Sequence, residues 1–274
     1  MKSLSENILK ADRILKADRK MEFNLESTTE EERFALLFGI MLGDGCLSRC
    51  LSNNREYCSV VITGNFYNDR DFFKNILVPL IVYFRGKDVK IKERKKYGSI
   101  EINFCDKKLF TKIKSFGFPI GKKGTKITIP KIFYDKDLIK YIVQGFFATD
   151  GSLVLTKNPN KFYPRIEIHA IAKNLILQTH SYLTNLGMTG HFYKCKRNKQ
   201  DLRWKVVQQR YRFQFNGKQN LLLFNDLIGF VNPKHKIKFH NFLKYSDEYD
   251  RITKGLPFKE QYFVRKEINS NFRK

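Results

Sequence analysis

Paired cysteines, acidic residues and long apolar runs are all scarce in this 274-residue sequence. Its five cysteines include no C-x-x-C pair, which argues against a disulfide framework and a zinc ribbon and predicts reduced thiols. No run approaches roughly eighteen apolar residues, and the N-terminus lacks the apolar segment of a secretory signal. We therefore expect a soluble intracellular protein.

Acidic residues are outnumbered by basic ones, with 27 Asp and Glu against 52 Lys and Arg, so the formal net charge is +25. Such an excess predicts a partner rich in phosphate. The 42% share of hydrophobic residues is enough for a folded core, which excludes a disordered basic tail. The composition indicates a folded protein that binds nucleic acid.

The order helix, two strands, helix, two strands, helix is predicted twice along the chain. In the first half, Thr28-Thr29-Glu30-Glu31 predicts a capping box, and the apolar helix that follows it ends at Asp44. Alternating apolar residues predict strands near 55–62, 89–94 and 99–104, and 68–84 is predicted to be a helix that Pro79 shortens or kinks. In the second half, Asp135 or Asp137 is expected to cap the helix that ends at Asp150.

An internal duplication relates the two halves. At an offset of 106 residues, Gly39 falls on Gly145, Asp44 on Asp150, Ile62 on Ile168 and Asn68 on Asn174. At an offset of 112 residues, Lys122 falls on Lys234 and Lys126 on Lys238. Two homologous units in one chain predict a pseudo-twofold monomer, and twofold proteins commonly read two DNA half-sites.

Small residues mark one face of each apolar helix. Gly39 and Gly43 are four residues apart in the first helix, and Gly145 and Thr149 occupy the matching positions in the second. Small residues at this spacing allow two helices to approach closely. We expect the two helices to pack against each other.

Each of these helices ends in an aspartate, Asp44 or Asp150. The helix macrodipole disfavours a carboxylate at a C-terminus, and packing the two helices together would bring the two anions near each other. A divalent cation held by the carboxylates and by helix-terminal carbonyls would offset this repulsion. Taken singly, each Asp-Gly pair is more typical of an ordinary helix-terminal turn, and it is the repetition of the pair that favours a bound cation.

The two helix ends resemble the paired motifs of the LAGLIDADG homing endonucleases in their single-chain form: LFGIMLGDG at 37–45 and VQGFFATDG at 143–151. The resemblance covers roughly residues 30–240. It implies an α+β fold of two pseudo-twofold-related αββαββα units, with antiparallel saddle-shaped sheets packed through the two motif helices. On this view 1–27 is an N-terminal extension, 28–133 and 134–240 are the two units, and 241–274 is a C-terminal extension.

The resemblance also implies the site residues. Asp44 and Asp150 match the metal-binding acidic residues, and the carbonyls of Gly43 and Thr149 are expected as further ligands. The implied cofactor is Mg²⁺, for which Mn²⁺ can substitute, while Ca²⁺ is expected to support binding. The basic residues beside the scissile phosphates match Lys126 and Lys238, with Lys236 as an alternative to Lys238, and the polar residues near the attacking water match Asn65 and His169.

Basic and polar side chains occupy the outward positions of the predicted strands, where an antiparallel sheet can enter the major groove of DNA. The candidate DNA-binding residues are Arg55, Tyr57, Lys90, Lys92, Arg94, Arg165, Lys194, Lys196, Arg203, Arg210, Arg212 and Gln214. An ordinary solvated strand face would carry mixed charge, and Glu101 and Glu167 are the conspicuous acidic exceptions.

The function implied by the resemblance is metal-dependent, site-specific cleavage of both strands of a long asymmetric DNA target, leaving 3′ overhangs. The protein is then expected to be a monomeric homing enzyme of an intron or similar element, DNA-associated in a cytoplasm, nucleoid or organelle matrix. One alternative is an RNA maturase with intron RNA as partner, and another is a DNA-binding regulator on the same fold. We expect a free-standing chain without protein splicing.

Overall fold

The computed structural model describes residues 27–155, 163–195, 208–257 and 260. Within these ranges the first unit contains α1 (Glu30–Asp44), β1 (Gly45–Ser52), β2 (Arg55–Asn65), α2 (Phe66–Phe72), α3 (Val78–Arg85), β3 (Ile91–Arg94), β4 (Ser99–Cys105), α4 (Lys107–Ser115) and α5 (Lys131–Asp135). The second contains α6 (Ile139–Asp150), β5 (Gly151–Leu155), β6 (Pro164–Ala170), α7 (Lys173–Asn185), β7 (Gly190–Lys194), β8 (Tyr211–Asn216), α8 (Lys218–Leu227) and α9 (Pro233–Thr253).

Each unit is built on one four-stranded antiparallel sheet. The strand orders are β1-β2-β4-β3 and β5-β6-β8-β7, which are equivalent in the two units. The register agrees as well, because Gly45 pairs with Ile62 and Gly151 pairs with Ile168. The predicted α+β fold with two related units is therefore confirmed, and the sequence duplication is reproduced in the strand pairing.

Helices α1 and α6 cross with no room for further side chains at the glycines where they meet. A Cβ atom added to Gly39 would lie 2.2 Å from the carbonyl oxygen of Ile142, and one added to Gly145 would lie 2.3 Å from that of Leu36. The expected close packing of the two helices is confirmed. All residues of α1 from Phe34 to Leu42 are buried, as expected for a helix that is enclosed on all sides.

Several local predictions are corrected by the structure. The capping box lies one residue further along than predicted, because Thr29 and Glu32 exchange the two hydrogen bonds. The predicted capping of α6 by Asp135 or Asp137 is wrong, since its N-cap is Leu138, which makes no side-chain hydrogen bond.

Pro79 disturbs the regular α-helix that precedes it. A proline lacks a backbone N–H and clashes with the carbonyl one turn earlier, so a regular α-helix cannot continue through it. The chain forms a π-helical turn at Phe73–Leu77, between α2 and α3. The helix predicted over 68–84 is therefore locally widened just before Pro79.

The boundary predicted between the second unit and the C-terminal extension falls inside a helix. Helix α9 runs from Pro233 to Thr253 and so crosses the boundary expected at 240. All five cysteines are free thiols, as expected. Among the helices of the described ranges, none combines the length and the apolarity that crossing a bilayer requires.

Candidate active site

The two aspartates are the last residues of the two crossing helices, Asp44 in α1 and Asp150 in α6. A strand starts immediately after each of them, at Gly45 and at Gly151. This turn has no room for a side chain, since a Cβ on Gly151 would lie 2.3 Å from the carbonyl oxygen of Phe147. The glycine that follows each aspartate is thus required by the abrupt change from helix to strand.

The carboxyl groups of Asp44 and Asp150 share a buried, electrostatically unfavourable position. Burial, followed by the charge of Asp150, raises the pKa of Asp44 from 3.8 to about 7. Burial also raises the pKa of Asp150. A Cβ atom added to Gly43 would lie 3.4 Å from Oδ2 of Asp150, so the end of α1 lies against that carboxylate. Two partly desolvated carboxyl groups at two helix C-termini require positive charge.

One source of that positive charge is Lys123, which the sequence interpretation missed. Its ammonium group donates hydrogen bonds to the carbonyl oxygens of Met41, at 3.2 Å, of Leu42, at 2.9 Å, and of Gly43. Burial lowers the pKa of Lys123, and the charges of Asp150 and Asp44 oppose that shift. Lys123 thus acts as a tethered cation at the C-terminus of α1.

The loop after α4 delivers Lys123 to this position. Its path runs beside β1, where the backbone N–H of Gly121 donates to the carbonyl of Leu47 at 2.7 Å and Ile120 forms an isolated bridge with Leu47. Gly121 and Gly124 adopt positive φ values of 78° and 63°, which glycine alone adopts at no steric cost. Lys123 therefore lies between two sharp bends of the chain.

The second cation is Lys234, in the first turn of α9. Its charge opposes the upward pKa shifts of both Asp44 and Asp150, as does the charge of Lys123. Its Nζ atom donates to Oδ1 of Asp69 at 2.8 Å. Each unit therefore contributes one lysine whose charge acts on both carboxylates.

These two lysines differ from the pair expected from the sequence. Lys126 is exposed three residues beyond Lys123, and Lys238 is half-buried one turn beyond Lys234. Burial, and then the charge of Lys234, lowers the pKa of Lys238. Lys236, the alternative to Lys238, is also half-buried. The 112-residue offset pairs Lys122 with Lys234 as well as Lys126 with Lys238, so it does not distinguish between the two pairs.

The two polar residues expected near an attacking water, Asn65 and His169, both have side-chain contacts within their own units. The side-chain oxygen of Asn65 accepts hydrogen bonds from the backbone N–H groups of Tyr67 and Asn68, so Asn65 caps α2. Nε2 of His169 lies 3.4 Å from Oε1 of Glu167. Asn65 therefore has a structural function at the end of β2, and His169 belongs to a group of side chains on the sheet.

The oxygen donors at the helix crossing suit a hard divalent cation. Mg²⁺ and Ca²⁺ prefer carboxylate and carbonyl oxygens, which Asp44, Asp150 and the end of α1 provide. The hydrogen bonds of Lys123 show that the carbonyl groups at this helix end are directed at a positive charge. The residues present therefore fit such an ion. The hydroxyl of Thr149 donates to the carbonyl of Phe146 at 3.0 Å and closes the last turn of α6.

The open face of the first sheet is basic at its edges. Its predicted DNA-binding residues are all exposed, namely Arg55, Tyr57, Lys90, Lys92 and Arg94. Lys90 lies just before β3. Glu101 lies 3.9 Å from Nζ of Lys92 and 3.6 Å from the guanidinium of Arg94, so it holds these two cations beside each other.

The open face of the second sheet is organised around the buried Glu167. Its carboxylate accepts from Nε2 of Gln214 at 2.9 Å and lies 2.9 Å from Nε of Arg165. Gln214 is only 6% exposed, so the expectation of a freely presented side chain is wrong at this position. The strand parity was right, but cross-strand pairing with Glu167 covers the amide.

The remaining predicted DNA-binding residues of the second unit are partly described by the structure. Lys194 and Arg210 are exposed. The guanidinium of Arg212 lies 5.3 Å from the ring centre of Tyr193, in a cation–π arrangement. Lys196 and Arg203 lie outside the described residues.

The second unit matches a known protein family. Residues 137–229 match the family described as LAGLIDADG-like domain. Over 251 residues, 89% of this chain, the sequence is 26% identical to the probable translation initiation factor IF-2 of Methanocaldococcus jannaschii. The chain spans only 18% of the length of that protein, so the likeness carries over no activity of the factor as a whole.

Solved structures of homing endonucleases share the fold. The meganuclease I-AabMI bound to uncleaved DNA aligns with a TM-score of 0.53 and 15% identity, over 86% of this chain and 97% of that one. I-SmaMI, bound to uncleaved DNA with calcium ions, aligns with a TM-score of 0.53 and 13% identity, over 88% and 98%. A variant of I-DmoI with nicked target DNA and Mn aligns with a TM-score of 0.51 and 20% identity, over 72% and 95%.

Proposed function

We propose that this chain, whose residues 137–229 match the LAGLIDADG-like domain and whose fold resembles that of the meganuclease I-AabMI, is a site-specific DNA endonuclease that cuts both strands of a long asymmetric target. The observation that carries the proposal is the pair of buried carboxyl groups, Asp44 and Asp150, at the adjoining ends of α1 and α6. One lysine from each unit accompanies them. Each unit then contributes one acidic and one basic residue to the cleavage of one strand.

The two open sheet faces would bind the DNA. Exposed arginine and lysine side chains, such as Arg55 and Lys194, can contact phosphates or guanine edges, and Tyr57 adds an exposed aromatic surface. Because the two sheets have equivalent strand orders but different side chains, the two halves of the target would differ in sequence. An asymmetric target suits a single chain that acts as a monomer.

At the helix crossing, Asp44 and Asp150 would hold a divalent cation together with carbonyl oxygens of the helix ends, for which we propose those of Gly43 and Thr149. Bound Mg²⁺, or Mn²⁺ in its place, would supply an activated water and stabilise negative charge on the phosphate. Lys123 and Lys234 would each place an ammonium group beside a scissile phosphate, where it stabilises the developing charge. When the divalent cation binds, Lys123 would release its hydrogen bond to the carbonyl oxygen of Gly43.

A selection from random DNA tests this proposal and reveals the target sequence at the same time. A plasmid library with a long randomised insert is incubated with the protein and Mg²⁺, and the ends that are cut are sequenced. We expect one long asymmetric sequence to be enriched at the cut ends, with short 3′ overhangs. The matched control is the double variant Asp44→Ala, Asp150→Ala. Cut ends without a shared sequence, or equal cutting by the control, would contradict the proposal.

Binding to the selected target should weaken steeply with salt. Each phosphate neutralised by Lys or Arg releases counterions, so a protein with about six or more phosphate contacts loses roughly 10³-fold in affinity between 50 and 200 mM salt. With Ca²⁺ in place of Mg²⁺, fluorescence anisotropy should show this loss without cleavage of the DNA. An affinity that stays constant over the same range would contradict binding through the basic sheet faces.

A further inference from the structure

A buried carboxylate of the first unit contacts the second unit beside the aspartates. Asp69, in the first turn of α2, is 7% exposed. Its Oδ1 atom accepts from Nζ of Lys234 at 2.8 Å and from Nδ2 of Asn232 at 2.9 Å. Its Oδ2 atom accepts from the backbone N–H of Asn65 at 2.9 Å. These contacts fix the orientation of the carboxylate that Lys234 meets.

The position of Lys234 in its helix explains why such a carboxylate is needed. Asn232 is the N-cap of α9, and Lys234 lies in the first turn, where the macrodipole disfavours a positive charge. No acidic residue of α9 itself occupies that turn. Asp69 provides the missing negative charge from the other unit, and it also lies at the N-terminus of its own helix. The N-termini of α2 and α9 therefore meet at the Asp69 carboxylate.

The same contacts connect Asp69 to the end of α6. The side chain of Asn232 donates to the carbonyl of Ala148 at 2.8 Å, two residues before Asp150. Asn232 therefore bridges Asp69 and the helix that carries Asp150. Since Lys234 acts on the charges of both aspartates, this network sets where its ammonium group lies relative to them.

The equivalent position on the other side of the pseudo-twofold carries no carboxylate. At the 106-residue offset that relates the units, Leu175 corresponds to Asp69, and Leu175 is a buried apolar residue of the core. Lys123 is held by backbone carbonyl groups of α1. The two lysines are thus supported by different groups, and Lys234 is the one that depends on a side-chain carboxylate from the opposite unit.

We propose that Asp69 is a positioning residue that holds Lys234 beside the scissile phosphate of one DNA strand, so that the two strands are cut through differently supported lysines. This inference rests on the proposed endonuclease function. Removing the charge of Asp69 then slows cleavage of the strand served by Lys234 and leaves the other strand almost unchanged.

The first test uses the protein without DNA. Lysines are acetylated with an activated ester at mildly alkaline pH, and the modified peptides are quantified by mass spectrometry. In Asp69→Asn, which keeps the size of the side chain, we expect Lys234 to be modified several-fold faster than in the wild type. The acetylation rate of Lys123 should stay unchanged. Lys123 is the internal control, because general unfolding would accelerate the acetylation of both lysines. The matched control is Asp71→Asn, which removes an exposed negative charge from the same helix and should leave Lys234 unchanged.

The second test follows each strand of a plasmid that carries the selected target. In Asp69→Asn we expect one strand to be cut about 10- to 100-fold more slowly, the loss typical of a reacting group that is misplaced, so that nicked circles accumulate. Lys234→Met should slow the same strand, and the double variant should be no slower than Lys234→Met alone. Asp71→Asn should cut both strands at the wild-type rates.

The two tests separate the inference from the function on which it rests. If the wild type does not cut DNA, the proposed function fails, and the acetylation rates still decide whether Asp69 positions Lys234. If the wild type cuts DNA, equal slowing of both strands in Asp69→Asn overturns the inference, because that result is typical of a purely structural carboxylate. Unchanged acetylation of Lys234 overturns it as well.

Discussion

Replacing Asp44 by Asn is expected to abolish double-strand cleavage and, at the same time, to stabilise the metal-free protein above pH 7. The first effect follows because the neutral amide is a much weaker ligand for a divalent cation than a carboxylate. The second follows because the ionised carboxyl group lies buried next to Asp150 and at a helix C-terminus. DNA binding in Ca²⁺ should be retained, since the sheet faces are unchanged.

The pH dependence of stability has a definite direction. The pKa of Asp44 is about 7 in the folded protein, above its ordinary value of 3.8. The folded state therefore binds the proton more tightly than the unfolded state does, and the stability present below pH 4 is lost as the pH rises through 7. A shift of this size corresponds to a cost on the order of 2–4 kcal/mol above pH 7, which Asp44→Asn removes.

Urea unfolding in EDTA across this pH range measures the effect. The wild type should lose stability between pH 4 and pH 7, and the variant should lose less. Asp44→Ala is a useful companion, because an asparagine followed by Gly45 can deamidate and restore the carboxylate. Full cleavage by either variant would contradict the role of Asp44, and a variant less stable than the wild type above pH 7 would contradict the electrostatic explanation.

The second large effect is expected at the helix crossing. A Cβ on Gly39 would meet backbone atoms of Ile142 at 2.2 Å, so Gly39→Ala must separate α1 from α6. Forcing atoms into a well-packed core typically costs about 1–3 kcal/mol, and here the backbone itself has to move. We expect a loss of unfolding free energy in this range or above it.

A matched glycine on the same helix provides the control. A Cβ on Gly43 would meet the side chain of Thr149, with Oγ1 at 2.0 Å and Cβ at 2.8 Å. Gly43→Ala should therefore be destabilising alone and largely rescued by Thr149→Gly, apart from about 1 kcal/mol lost by placing a glycine in a helix. Thr149→Gly should not rescue Gly39→Ala. Equal rescue of both variants, measured by chemical denaturation, would contradict the proposed geometry.

The parts of the fold that local patterns determine could be predicted from the sequence. The motif helices, their ends at Asp44 and Asp150 and the alternation of β2 all follow from residue spacing. The duplication added the pairing of the helices, because a pattern that occurs twice at a constant offset implies two equivalent elements.

The choice of lysine could not be predicted in the same way. Lys123 and Lys126 lie in one loop, and only the path of that loop between Gly121 and Gly124 decides which of them reaches α1. Lys234 and Lys238 lie one turn apart on the same helix, so periodicity gives both the same face. The distinction comes from Asp69, which is more than 160 residues away in the sequence.

The DNA-binding face shows a similar limit. Strand parity placed Gln214 on the open side of its sheet, and the structure agrees. Parity contains no information on what the side chain contacts, however, and Glu167 on the neighbouring strand binds the amide. Cross-strand contacts depend on which strands are neighbours, and β6 and β8 are far apart in the sequence.

The glycine contact between α1 and α6 also has a consequence for the geometry of the product. Both aspartates are the last residues of the helices that touch there, so the spacing of the two helices sets the spacing of the two carboxylates. In the proposed enzyme, that spacing determines how many base pairs separate the two cuts. The length of the single-stranded overhang is then set by a backbone contact in the protein core. Substitutions on the DNA-binding surface can therefore change the target sequence and leave the overhang length unchanged.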